Sequence, residues 1–183
     1  MDFNAANYGA EVARILALDD NGNRLLPLQW GPCSSEEARN LLRTFSPSTL
    51  FPNAGEPKAP MAGLWLYFNC SEEAHQLADE CNDQNGYLWH AIVHRQEGDF
   101  GNAAYWLRKA GTHPIYSRLA AEAVKITRQI PAAEFRTGRW DPYSFASFCE
   151  RARAQPGSSH ELAAREIQRA EWQLLFDYCA RPQ

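Results

Sequence analysis

Apolar residues recur along most of this chain at three- and four-residue spacing, and the runs are broken by clusters of Pro, Gly, Asp and Ser, a pattern that predicts helices joined by turns. Tyr8 to Leu18 reads as a first helix with Val12, Ile15 and Leu16 inward, stopped by Asp19-Asp20-Asn21-Gly22. Leu25 to Trp30 is short, apolar and interrupted by Pro27, so it is expected to be extended. Ser34 opens a capping box with Glu37, ahead of Ala38, Leu41, Leu42 and Phe45 at i, i+3, i+4 and i+7. Pro47, Pro52, Pro57 and Pro60 then punctuate a loop over 46–60.

Met61 to Phe68 is apolar and aromatic throughout; its period does not separate helix from strand, and its helical neighbours decide for helix. Ser71 is expected to cap the next helix, with Glu72 and Glu73 in its first turn and Ala74, Leu77, Ala78 and Cys81 buried. Residues 85–114 read as a helical hairpin in which Gly98 and Asp99 separate Tyr87–Glu97 from Phe100–Ala110, with Gly111 as the stop. Gly98 should be left-handed and Asp99 should cap the second helix. Pro114 opens a helix with Ile115, Leu119, Ala123, Ile126 and Ile130 on one face, and a loop follows over 131–141. Asp141-Pro142 starts the next, with Phe145, Phe148, Cys149 and Ala152 inward. Ser158 and Glu161 open a long final helix to about Ala180, with Ala163, Ile167, Ala170, Leu174 and Tyr178 on one face. Trp172 and Phe176 lie opposite, so this helix either packs on two sides or makes a homo-oligomer contact. The expected fold is a single all-α domain over 1–183, of about eight or nine short helices. Its parts are N-terminal helices to 45, the Pro-rich loop 46–60, the hairpin 85–114 and C-terminal helices over 114–180.

With 183 residues, 45% of them hydrophobic, and six Trp, seven Tyr and nine Phe, the chain can bury a full core. A net charge of −4, with positive charge carried mostly by Arg and in no cluster, excludes a nucleic-acid face or an anionic membrane surface. No run approaches the roughly 18 apolar residues of a membrane span. Five cysteines without a CxxC pair or a secretory leader read as reduced thiols in a cytoplasmic protein. Cys70, Cys81, Cys149 and Cys179 sit in or beside apolar helical faces, and none is expected to be a nucleophile.

The candidate chemistry lies in the hairpin. At 100° per residue, with His90 at zero, His94 falls at about 40° and Glu97 at about −20°, a narrow stripe flanked by Val93 and Tyr87, with Arg95 and Gln96 on the far side. Buried imidazoles and a carboxylate need partners, because an unpaired buried polar group costs roughly 1–3 kcal/mol. Three readings compete. In one, the histidines are hydrogen-bonded core residues and Glu97 pairs with an Arg. In the second, His90 and His94 at i and i+4 bind a divalent metal, with Glu97, His113 or His75 completing the set, although the HExxH pattern is absent. In the third, the stripe lines a pocket for acid–base work or for a small polar ligand, with Tyr105, Trp106 and Asn102 nearby. The leading expectation is a helical binding module with a polar-lined pocket for a small ligand or protein partner; the alternative is a metal-dependent or acid–base enzyme using His90, His94 and Glu97.

Two resemblances bear on this stretch. Gly98, Asp99, Phe100, Ala103, Tyr105, Trp106 and Ala110 resemble the turn and second helix of a single tetratricopeptide-like repeat, and no second copy follows. The run HAIVHRQEGDFGNAAYWLRKAGTHP, with GLWLYFNCSEEAH upstream, resembles an uncharacterised family of bacterial and fungal helical proteins. That family is built on His-x3-His-Arg-x-Glu-x-Asp-x2-Asn-Ala-x-Tyr-Trp and a later His-Pro. The resemblance covers most of 8–120 and brings no assigned activity. It marks His75, His90, His94, Arg95, Glu97, Asp99, Asn102, Trp106 and His113 as ligand-binding candidates, and His75 enters by this route alone. Gly98 stands where the family pattern has Pro.

Overall fold

Helical periodicity accounts for every regular element among the residues that the computed structural model describes, 3–130, 135 and 138–181. In chain order these are α1 (Ala10–Leu16), α2 (Glu36–Leu42), α3 (Pro47–Leu50), α4 (Lys58–Tyr67), α5 (Ser71–Glu80), α6 (Gln84–Glu97), α7 (Phe100–Ala110), α8 (Tyr116–Gln129), α9 (Pro142–Arg153) and α10 (Ser159–Ala180). Short 3-10 turns occupy Ala5–Tyr8 and Asp20–Gly22. They share one apolar core, and the all-α domain is organised round α6, which packs against α4, α5, α7 and α9. No described helix is long and apolar enough to cross a membrane.

Local chemistry sets the helix ends. Met61–Phe68 is helical as far as Tyr67, and α4 starts early, at Lys58, because Pro60 fits a first turn that needs no N–H donor. Pro47 likewise begins α3 under a Ser46–Thr49 capping box, so the expected 46–60 loop contains a helical turn and the start of α4. Ser35, not Ser34, caps α2, because the Ser34 hydroxyl donates instead to the Phe68 carbonyl at 3.1 Å. Cys70 takes the position expected for Ser71 at the start of α5, and the Ser71 hydroxyl turns back to the Asn69 carbonyl. The α6–α7 turn is as expected: Gly98 has φ 92°, ψ 10°, and the Asp99 carboxylate accepts from Asn102 N at 2.9 Å. Asp141 and Ser158 cap α9 and α10 as expected. Residues 131–134, 136 and 137 of the expected 131–141 loop lie outside the described residues.

Residues 24–30 belong to no helix or strand, so most of their backbone groups must be satisfied by side chains. Helix α10 supplies most of them. Gln173 donates to the Gly22 carbonyl at 2.9 Å, Arg165 to Leu25 O at 2.9 Å, and Gln168 to Pro27 O at 2.9 Å. Gln96 on α6 also donates to Pro27 O, at 3.0 Å, and its own carbonyl accepts from Trp30 N. This strap buries Leu26 and Leu28 and explains why Gln96, placed on the far side by helical spacing, is inside.

Three sequence expectations are corrected. Cys33 and Cys70 are joined by a disulfide with Cα atoms 4.4 Å apart, within the ordinary range, so only Cys81, Cys149 and Cys179 are free thiols. The inference of a cytoplasmic setting from five reduced thiols loses that support. Burial pushes the Cys81 and Cys149 thiols to about 12, which agrees with the absence of a cysteine nucleophile. Trp172 and Phe176 are buried within the chain, stacked on each other and covered by Phe3, so they offer no oligomer face; α10 packs on two sides.

The third correction is Arg95, which is 3% exposed instead of facing solvent. Its guanidinium forks onto both carboxylate oxygens of Glu171, donates to Gln168 Oε1 at 3.1 Å, and lies 4.7 Å from the centre of the Phe145 ring. Breaking such a pair leaves an uncompensated buried charge. Glu171→Ala is therefore expected to cost about 3–5 kcal/mol in urea unfolding, whereas Arg95→Met with Glu171→Leu should recover most of it. A loss under about 1 kcal/mol in the single variant would mean that the pair does not anchor the two helices.

Candidate metal centre

Two helices bring the histidines together, and a third covers them. His90 and His94 are one turn apart on α6, so their rings stack with centroids 4.9 Å apart and planes 11° from parallel. His75 comes from α5, whose buried Ala74 and Ala78 are small enough to let the helix pack closely on its neighbours, and its ring stands edge-on to both. Trp106 of α7 lies flat on His90 with a centroid separation of 3.9 Å. One ring nitrogen from each of His75, His90 and His94 lies within 4.8 Å of the others. The Nε2 atoms of His75 and His90 are 3.0 Å apart.

The other nitrogens decide what the cluster can do. His94 Nδ1 is 2.8 Å from Glu97 Oε2, so a proton held there leaves Nε2 as a free lone pair. His90 Nδ1 is buried with no hydrogen-bond partner, and its nearest acidic oxygen is Asp79 Oδ1 at 3.8 Å. If His75 donates across the 3.0 Å contact, His90 carries its proton on Nδ1, toward Asp79. Both buried imidazoles then turn a lone pair to the centre; the outer nitrogen of His94 is held by Glu97, as in ligating histidines, while that of His90 has Asp79 near but outside hydrogen-bond distance. A tetrahedral ion with bonds of about 2.0–2.1 Å keeps its nitrogens about 3.3 Å apart, close to the separation of the His75–His90 pair.

Electrostatics favour the neutral form that ligation requires. Burial, then the adjacent His75 and His94 rings and Lys109, push His90 from 6.5 down to about 3. His75, half-exposed, is also lowered, by burial first and His94 next, against the opposing pull of Asp79 and Glu97.

The remaining candidates separate from this cluster. Glu97, expected to be buried, has 40% of its side chain exposed and supports His94 from the rim. Asp99 and Asn102 form the α7 cap, with Asn102 Nδ2 donating to Asp99 Oδ2 at 2.8 Å. Arg95 belongs to the core ion pair. His113 does not swing toward the stripe: its Nε2 donates to Asn85 Oδ1 at 2.9 Å and its Nδ1 accepts from Ile115 N, which ties the end of α7 to the start of α6. A cavity of about 860 Å³ lies between the end of α7 and the starts of α8 and α9, and none of His75, His90 or His94 lines it. Sequence reasoning missed Asp79 and Lys109 as neighbours of the cluster. Asp79 was detectable as the residue one turn beyond His75; Lys109 carried no signal until α6 and α7 were packed. No family model, curated protein or solved structure matches the chain.

Burial holds His113 at about 4, below its ordinary 6.5. Above 6.5 folded and unfolded chains are both neutral there, and full stability is present. As pH falls toward about 4 only the unfolded chain gains the proton, and stability is lost, up to about 3 kcal/mol from this residue. His113→Gln should flatten the fall in urea midpoint across that window. An unchanged slope would show that His113 protonates equally in both states.

Proposed function

We propose that the protein is a divalent-metal-binding helical module whose centre is His75, His90 and His94, with Glu97 and Asp79 as outer-shell supports. The observation that carries this reading is the convergence of three imidazole nitrogens beside a buried, unpartnered His90 Nδ1. A set of imidazoles with no thiolate suits zinc, copper, nickel or cobalt and is a poor match for magnesium or calcium, which take oxygen ligands. Three protein ligands leave a coordination position open, and a bound ion would supply Lewis acidity there. The residues do the rest: Trp106 holds the His90 ring flat, Glu97 keeps the His94 proton on Nδ1, and half-exposed His75 closes the set from α5. The pocket-bearing binding module, expected at first, has less support because the stripe is filled by its own rings.

One equivalent of Zn²⁺ or Co²⁺ should bind per chain in calorimetry. At a free ion concentration a hundredfold above the dissociation constant, unfolding should cost about 2.7 kcal/mol more. His90→Ala and His75→Ala should abolish the effect, and Glu97→Gln should weaken affinity roughly 10- to 100-fold. Retention of full affinity in His75→Ala would remove the α5 ligand from the site, and no stabilisation of the wild-type chain by any of the four metals would sink the reading.

A further inference from the structure

Lys109, in the last turn of α7, sits beside the histidine cluster without a counter-ion. Its ammonium lies 4.3 Å from the ring centres of both Tyr87 and Trp106, and among the described residues no carboxylate lies within ion-pairing distance of it. Trp106 in turn covers His90, so this cation is one ring away from the proposed ligands. Three neutral imidazoles bring no negative charge to a dication. Glu97 holds the outer Nδ1 of His94 at 2.8 Å, and Asp79 stands 3.8 Å from that of His90, so both carboxylates approach the rings from behind the ligating side. Among the described residues no carboxylate oxygen joins the three converging ring nitrogens, so a bound dication would keep its charge beside that of Lys109, one ring away.

From this geometry, and resting on the metal-centre reading, we infer that the centre takes a small oxyanion of the carboxylate or phosphate class, ligated at the open position and paired with Lys109. The side chain is suited to the part. It is exposed, on a flexible stem, and its hold on the aromatic rings is of the weak, water-exposed kind that a charge-assisted contact replaces. Tyr87 and Trp106 keep the ammonium near the cluster in the meantime. Lysine acts here as a mobile point charge, so no fork geometry is required of the anion.

The experiment uses the full chain loaded with Co²⁺, whose visible spectrum reports its coordination, titrated with acetate and separately with inorganic phosphate against perchlorate at equal ionic strength. The expected result is a saturable spectral change with acetate, phosphate or both, absent with perchlorate; which of the two responds separates a carboxylate from a phosphoryl preference. Lys109→Gln should weaken the anion about tenfold or more without lowering Co²⁺ affinity, since losing a nearby cation cannot disfavour a metal ion, and Lys109→Arg should restore part of the loss. Co²⁺ binding with a spectrum indifferent to both anions, or an anion affinity unchanged in Lys109→Gln, overturns this inference and leaves the metal centre standing. Failure to bind Co²⁺ overturns both.

Discussion

The ion pair between Arg95 and Glu171 fixes the rotation of α6, and the rest of the molecule follows from that rotation. A guanidinium that must stay charged in the core can be held only where a carboxylate and an amide await it, and those lie on α10. On a helix Arg95 stands about 100° from His94 and about 140° from His90. Once Arg95 points at α10, the histidines are turned toward α5 and α7, where His75 and Trp106 meet them. Gln168 joins the same anchor to the strap, accepting from Arg95 and donating to Pro27 O. One buried polar network thus orients the central helix, clamps an extended segment and presents the candidate ligands.

Helices, caps and the hairpin turn were legible in the sequence because they depend on neighbours within a few residues. Asp99, Asp141 and Ser158 each cap from their own segment, and Gly98 needs only its own backbone. What spacing misjudged was the fate of polar residues. Arg95 and Gln96 were assigned to solvent because a helical wheel equates polarity with exposure, and α6 has neighbours that take up the Arg95 Nη atoms and the Gln96 Nε2. The Cys33–Cys70 link escaped for a related reason: it joins a loop to the start of α5, and nothing local reveals that these meet. Of the candidate site, His90 and His94 were legible from their i, i+4 spacing. His75 was marked by the family resemblance and not by spacing, because on α5 alone it sits at the edge of a polar face, and only the packing of α5 on α6 gives it company.

The centre is also unlike a pocket. Its rings fill the space between three helices, with His90 held between Trp106 and His94. Placing ligands on helices that pack in the core fixes their separation more tightly than loops would, and it restricts access to the rim where His75, Asp79, Glu97 and Lys109 meet solvent. Chemistry at such a site would act on what reaches that rim, which excludes large buried ligands and favours ions and small polar molecules.

The strap from Gly22 to Trp30 has a consequence for how this chain can drift. From Leu25 onward its carbonyls are recognised by amides and guanidiniums that do not touch the strap's own side chains, of which Leu26 and Leu28 are buried; before that, Asn23 Oδ1 accepts from Gln173 and Arg24 pairs with Asp19. Leu25, Pro27 and Gln29 are held through their main chain or not at all, and can change letter while the main chain keeps its course. The burden of memory falls on the reader instead: Gln96 of α6 and Gln168 of α10 share the Pro27 carbonyl and Gln173 holds that of Gly22, so the segment that looks most ordinary in the alphabet is kept in place by glutamines far away in the chain.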